Sequence, residues 1–274
     1  MKIKKEYERW LANAVADTDV AAELKAMDYV EVEDAFYRDL AFGTGGLRGV
    51  IGAGTNRMNI YTVAKASQGL ADYLKKHFKE PSVAIGYDSR IKSDVFAKVA
   101  AGVFAANGVS VNIWPVLMPV PTVSFATRYL HTSAGVMVTA SHNPGKYNGY
   151  KVYGADGCQI TTEAAAEILA EIEKLDIFAD VKTSNFEAGV ANGSIRYIPD
   201  EVYTAFVEQV KSQSVLFGEN VNKNVAIVYS PLNGTGLKPV TRTLQEMGYT
   251  NITVVKEQEL SLIHISEPTR LALI

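Results

Sequence analysis

The chain has 274 residues, of which 47% are hydrophobic and 21% charged, so it can bury the core of one large domain or two smaller ones. Its 27 Lys plus Arg against 30 Asp plus Glu give a formal net charge of −3, and no block of like charge indicates nucleic-acid or membrane binding. One cysteine, Cys158, cannot form an internal disulfide, and neither a signal peptide nor a bilayer-spanning apolar run is apparent. We therefore expect a cytoplasmic enzyme.

Hydrophobic periodicity predicts the secondary structure. The first forty or so residues have apolar positions at helical spacing, as at Tyr7, Trp10 and Leu11, and predict short amphipathic helices. From Tyr61 onward, amphipathic helices alternate with strands that are apolar throughout, such as SVAIGY and AGVMVT. This pattern predicts an α/β fold whose sheet is mostly parallel and carries helices on both faces. A hairpin-like pair, YKVY and CQI around GADG, is expected before the helix TTEAAAEILAEIEKL.

A change in composition predicts the domain boundary. Residues 178–196 lose periodicity and collect Asp, Asn, Ser and Gly. We predict a first domain over residues 1–190, which carries the candidate nucleophile, and an incomplete second α/β unit over residues 191–259. Residues 260–274 fit neither unit, and we interpret them as a foreign or frame-shifted tail.

The loop TASHNP after the strand AGVMVT is the most specific chemical signal. It places the hydroxyl of Ser141 at the end of a buried strand, beside a proline and close to glycines that let a ligand approach. Ligands of open parallel sheets bind at the carboxyl ends of the strands, so this serine is a candidate nucleophile. A polar turn is an equally good interpretation of the residues alone. A serine hydrolase would need the pattern G-x-S-x-G, which Thr139 and Asn143 do not provide.

A second signal is the glycine-rich segment GTGGLRG at residues 43–49. Its backbone N–H groups and Arg48 suit a phosphate, although a glycine-rich turn with an incidental arginine explains it as well. Arg90 follows the strand SVAIGY and could pair with Asp88 in a structural ion pair. Lys151 and His142 are each more often structural than catalytic when considered alone.

Together, the segments FGTGGLRG, GYDSR, GVMVTASHNPGKYNGYKVYGADGCQI and SPLNGTG resemble the alpha-D-phosphohexomutase family, and within it the bacterial phosphoglucomutase branch and its phosphopentomutase relatives. The resemblance runs from about Phe42 to Glu259. It implies an enzyme of four domains that interconverts glucose 1-phosphate and glucose 6-phosphate through a phosphoserine, with glucose 1,6-bisphosphate as activator. The expected partner is a small sugar phosphate.

The resemblance also implies roles for single residues. Ser141 would be the phosphoserine, whose phosphate also binds Mg²⁺, and Lys151 would do acid–base work beside Arg48 and His142. The residues expected to bind substrate or phosphate are Thr44, Gly45, Gly46, Arg90, Asn143 and Asn148.

Three features of the family are missing from the sequence: the aspartate-rich loop that completes the Mg²⁺ site, the third domain's sugar-binding motif and the fourth domain's phosphate loop. Two hypotheses follow. The chain is either the nucleophile-bearing fragment of a phosphoglucomutase, expected to be inactive by itself, or a non-catalytic sugar-phosphate-binding or scaffold module. The choice among glucose, mannose and pentose substrates is not encoded in the residues present.

Overall fold

The computed structural model describes residues 2–215, 221–232 and 234–259. The segment interpreted as a foreign tail, residues 260–274, lies outside the described residues. Within the described ranges the helices are α1 (Lys2–Asn13), α2 (Thr18–Ala26), α3 (Tyr29–Phe36), α4 (Ile60–His77), α5 (Ser93–Ala106), α6 (Val120–Tyr129), α7 (Thr162–Glu173), α8 (Phe186–Asn192), α9 (Asp200–Ser212), α10 (Leu237–Glu246) and α11 (Lys256–Glu259). The strands are β1 (Phe42–Gly43), β2 (Gly46–Val50), β3 (Ser82–Tyr87), β4 (Ser110–Ile113), β5 (Ala134–Val138), β6 (Tyr147–Gly154), β7 (Ile195–Tyr197), β8 (Ile227–Tyr229) and β9 (Ile252–Val254).

A seven-stranded sheet with the order β1-β2-β6-β5-β3-β4-β7 forms the centre of the fold. Strands β5, β3, β4 and β7 are parallel, whereas β1, β2, β6 and β5 pair antiparallel. The predicted α/β class is confirmed, but the sheet is mixed. The reason is local: β6 follows β5 after a short loop, and a parallel return would need a long crossover.

Helices cover both faces of the sheet, as predicted. Along β3, Val83 and Ile85 pack in the core under α4, α5 and α7, while Ala84 between them packs in the core under α6 and α9. All three side chains are fully buried. This double coverage explains why the strand reads as continuously apolar.

The predicted hairpin-like pair is present, whereas one other segment differs from its predicted structure. The segment YKVY belongs to the eight-residue strand β6, and CQI returns antiparallel beside it, through the bridge between Tyr153 and Gln159 and a hydrogen bond of 2.8 Å from the Gly154 amide to the Cys158 carbonyl. Residues 178–196, which have little periodicity, contain α8 and the start of β7. Because β7 pairs with β4, the sheet extends beyond residue 190, where we predicted the first domain to end.

A second, smaller α/β unit follows. Strands β8 and β9 form a parallel pair that α10 connects, as the alternation of the sequence predicts. Helix α10 packs on α9, where the charged ends of Lys238 and Arg242 each lie 4.6 Å from the ring centre of Tyr203. Across the described residues, no helix combines the length and apolar character needed to cross a bilayer.

The N-terminal helices form a third core around Trp10, which is fully buried and contacts Phe36, Tyr61 and Phe178 edge to face. They are also tied to the sheet by charge. Lys92, just before α5, lies 3.4 Å from a carboxylate oxygen of Asp17 and 2.8 Å from one of Asp19.

We expect Gly46→Ala to lower the free energy of unfolding by about 2 kcal/mol or more. Gly46 has a φ of 76°, and a Cβ at this position would lie 1.9 Å from the carbonyl oxygen of Tyr150. Gly45→Ala is the matched control, because its Cβ would meet nothing within 4 Å. Urea unfolding followed by circular dichroism measures both variants. Equal losses of stability in the two variants would show that the close approach of Gly46 to Tyr150 does not matter.

Candidate active site

The order of the strands brings the predicted cations to one face of the sheet. In the antiparallel pairs, Arg48 of β2 lies opposite Gly149 of β6, and Lys151 lies opposite Met137 of β5. Their neighbours Leu47 and Tyr150 point into the core under α4 and α7. Side chains alternate along a strand, so Arg48 and Lys151 both emerge on the other face.

Gly149 permits this close arrangement. A Cβ at Gly149 would lie 2.6 Å from the carbonyl oxygen of Thr139 and 2.9 Å from that of Leu47. The Thr139 amide donates to the Gly149 carbonyl at 3.0 Å, which continues the β5–β6 pairing into the loop. Any side chain here would push the serine loop away from the strand that carries Arg48.

Ser141 lies on this loop in a conformation that is unusual for a serine. Its φ is 54°, in the left-handed region that costs a non-glycine residue about 1–3 kcal/mol. Its amide donates to the hydroxyl oxygen of Thr139 at 2.9 Å. The residue itself is exposed, and its Oγ lies 3.4 Å from Nδ1 of His142. The hydroxyl is therefore held in place and open to a ligand.

Positive charge accumulates next to the loop. Partial burial lowers the pKa of Lys151, the charge of Arg48 lowers it further, and Asp88 opposes the shift. Burial and the charge of Arg48 also lower the pKa of Arg90. A lysine beside other cations loses its proton more readily than one in water, which suits a group that must both accept and donate protons.

Two predicted ligand-binding residues make hydrogen bonds within the protein. The guanidinium of Arg90 donates to backbone carbonyls of the serine loop, at 3.1 Å to Pro144 and 3.0 Å to Tyr147. Asn148 is fully buried, and its Nδ2 donates to the carbonyl of Ile91 and to the hydroxyl of Ser93. Both side chains hold backbone groups in place, and their contact with a ligand stays a prediction.

Asn143 differs from Asn148. Its side-chain oxygen is buried and has no hydrogen-bond partner in the part of the chain that the structure describes. A buried acceptor without a donor is costly. The contact of Asn143 with substrate stays a prediction, because this oxygen is not accessible to a bound molecule in this conformation.

The glycine-rich segment is a β-hairpin. Thr44 and Gly45 form its turn, and Gly46 begins β2. The register carries this turn away from the Ser141 loop, because Val50 at the other end of β2 pairs with Tyr147 next to that loop. Within this segment, Arg48 lies opposite Gly149, whose carbonyl accepts from the Thr139 amide at the start of the serine loop.

The described residues do not by themselves fit a Mg²⁺ ion. No group of three or more His, Cys, Asp or Glu side chains in residues 2–215, 221–232 and 234–259 lies close enough to hold a metal. A phosphate on Ser141 would supply one oxygen ligand where Mg²⁺ requires near-octahedral coordination.

Sequence reasoning missed Thr139 and underestimated Asp88. Thr139 is the first residue of the motif TASHNP, and Asp88 is the first residue of the segment DSR, which directly follows β3. The carboxyl ends of the neighbouring parallel strands β3 and β5 meet at one edge, as the pairing of Tyr87 with Val138 shows. That rule could have brought both side chains to Ser141.

These features describe an α/β/α domain that presents a serine loop beside two cations. The chain belongs to the alpha-D-phosphohexomutase family, since the family model for phosphoglucomutase/phosphomannomutase, alpha/beta/alpha domain I, matches residues 39–177. The resemblance noted in the sequence is confirmed.

Relatives and solved structures agree with this assignment. The chain is 35% identical over 249 residues to a phosphoglucomutase of Staphylococcus saprophyticus, covering 91% of this chain and 44% of that protein. It is 33% identical over 255 residues to one of Staphylococcus aureus, covering 92% and 44%. A putative phosphomannomutase from Thermus thermophilus superimposes with a TM-score of 0.67 at 26% identity, over 83% of this chain and 48% of that one. The chain thus spans less than half the length of these relatives.

We expect Arg48→Gln to raise the pKa of Lys151 toward its ordinary value. The substitution removes the charge that adds to the effect of burial, so the recovery should be partial. An NMR pH titration of labelled lysine side chains reports this pKa directly. Arg57→Gln is the control, because Arg57 pairs with the exposed carboxylate of Asp34. An unchanged pKa in Arg48→Gln would contradict the electrostatic coupling.

Proposed function

We propose that Ser141 carries a phosphoryl group in a phosphoglucomutase reaction that interconverts glucose 1-phosphate and glucose 6-phosphate. The observation that carries the proposal is the strand pairing next to the exposed Ser141: Thr139 pairs with Gly149, which lies opposite Arg48 and two positions before Lys151. A serine ester can hold the phosphoryl group between two half-reactions, which divides one exchange between distant sugar oxygens into two transfers.

The proposed chemistry uses few groups. In the first transfer a sugar hydroxyl attacks the phosphorus on Ser141 and the bond from phosphorus to Oγ breaks, while neutral Lys151 takes the hydroxyl proton and passes it to the departing Oγ. In the second, Lys151 takes the Oγ proton as Oγ attacks the phosphate at the other sugar position, and the bond from phosphorus to the sugar oxygen breaks as Lys151 gives that proton to the released oxygen. The guanidinium of Arg48 neutralises charge on the phosphoryl oxygens. Glucose 1,6-bisphosphate would load the serine at the start.

We expect Ser141 to be phosphorylated when a full-length protein rebuilt around this chain is incubated with glucose 1,6-bisphosphate. Peptide mass spectrometry locates the phosphate. Ser141→Ala should abolish incorporation and turnover with little change in melting temperature, because the residue is exposed. Ser110→Ala, at an exposed serine of β4, is the control. Phosphate on a different serine, with Ser141 unmodified, would refute the assignment. Binding without any turnover in the unaltered protein would favour a non-catalytic sugar-phosphate module.

Arg48→Lys should slow turnover of the full-length protein by about tenfold or more, because the planar guanidinium is lost while the charge remains. Lys151→Met should slow it by about a hundredfold through loss of proton transfer. A coupled assay from glucose 1-phosphate, with Mg²⁺ and activator present, measures both rates. Arg57→Lys is the control and should be neutral, because the Arg57 guanidinium pairs with Asp34. Normal rates in the Arg48 and Lys151 variants would mean that both residues are structural.

A further inference from the structure

The guanidinium of Arg90 binds the backbone of the serine loop. Its four terminal N–H groups donate to the backbone carbonyls of Ser141, Asn143, Pro144 and Tyr147. Its Nε faces Asp88 at 3.9 Å. Since arginine has five N–H donors, little capacity remains for a ligand. Three of these carbonyls, those of Ser141, Asn143 and Pro144, belong to the loop between β5 and β6, and the carbonyl of Tyr147 lies at the start of β6.

Asp88 is the second part of the arrangement. One carboxylate oxygen accepts from the backbone amide of Arg90 at 3.0 Å and from the hydroxyl of Ser93 at 2.8 Å. The other accepts from the hydroxyl of Thr139. The carboxylate thereby joins the end of β3 and the start of α5 to the end of β5.

Thr139 connects this carboxylate to the nucleophile. A hydroxyl has one proton, and Thr139 donates it to Asp88, so the lone pairs of Oγ1 are left to accept. The Ser141 amide donates to that oxygen at 2.9 Å. The carboxylate thus sets the direction of the hydroxyl, and the hydroxyl sets the position of the Ser141 backbone.

We propose that Thr139, Asp88 and Arg90 form a loop clamp whose function is to hold Ser141 in its left-handed conformation for phosphoryl transfer. This inference rests on the proposed role of Ser141. The three are positioning residues, since they touch the loop and not the reacting atoms. The clamp acts from both sides of Ser141: the Thr139 hydroxyl holds its amide, and the Arg90 guanidinium holds its carbonyl.

The decisive test compares Thr139→Val with Thr139→Ser. Valine keeps the shape but removes both hydrogen bonds, whereas serine retains the hydroxyl. In the full-length protein, Thr139→Val should lower kcat about a hundredfold, as expected when a reacting group is misplaced by about 1 Å. The KM for glucose 1-phosphate should change little, and Thr139→Ser should recover most of the rate. Arg90→Lys should resemble Thr139→Val, because an ammonium cannot span four carbonyls.

Amide hydrogen exchange supplies a second readout that does not depend on activity. Exchange at Ser141 and through residues 142–147 should accelerate in Thr139→Val and in Arg90→Lys but not in Thr139→Ser. Thr127→Val is the matched control, since it removes a buried hydroxyl that bonds only within α6, to the carbonyl of Val123. It should leave both the loop exchange and kcat unchanged.

The outcomes separate this inference from the proposed function. Normal kcat and loop exchange in Thr139→Val, with Ser141→Ala inactive, would overturn the clamp and leave the phosphoserine assignment intact. Equal losses in Thr139→Val and Thr139→Ser would also overturn it, because packing and not hydrogen bonding would then be responsible. Retained turnover in Ser141→Ala would overturn the proposed function, and the exchange rates would still decide whether the clamp holds the loop.

Discussion

The antiparallel course of β6 between β5 and β2 is the constraint on which the site depends. It reverses the chain immediately after the serine loop, so that Lys151 returns beside the strand end that Ser141 has just left. It also gives β2, and with it Arg48, an edge to pair with. Both pairings require the bare backbone of Gly149, where any Cβ would meet two carbonyl oxygens at less than 3 Å. A wholly parallel sheet would have separated these three residues.

The electrostatics of the site follow from the same arrangement. The charge of Arg48 lowers the pKa of both Lys151 and Arg90, and the charge of Asp88 opposes both shifts. Asp88, however, is engaged by Thr139, Ser93 and the backbone of Arg90. The remaining positive charge faces the exposed side of the loop, where an anionic group is stabilised.

Much of this arrangement could be predicted from the sequence. Apolar strands and amphipathic helices have clear periods, and the motif around Ser141 identified the loop, Arg48 and Lys151. The sequence did not reveal that β6 runs antiparallel to β5, because an apolar segment has the same pattern in parallel and antiparallel sheets. The backbone contacts of Arg90 and Asn148 were not predicted, because an arginine or asparagine in a motif looks the same whether it binds phosphate or backbone carbonyls. Every residue has a backbone carbonyl, so the sequence does not show which carbonyls a side chain will bind.

The wide spacing of the clamp residues along the chain has a consequence for folding. Ser141 and Lys151 lie on one local hairpin, and hairpins form within about 1–10 μs. Asp88, in contrast, reaches Thr139 from 51 positions earlier in the chain, and such long-range contacts come later because their loop-closure entropy is larger. We therefore expect the serine loop to acquire its shape only when β3 docks against β5. A molecule with a formed hairpin but an undocked β3 would have the residues of the site without its geometry.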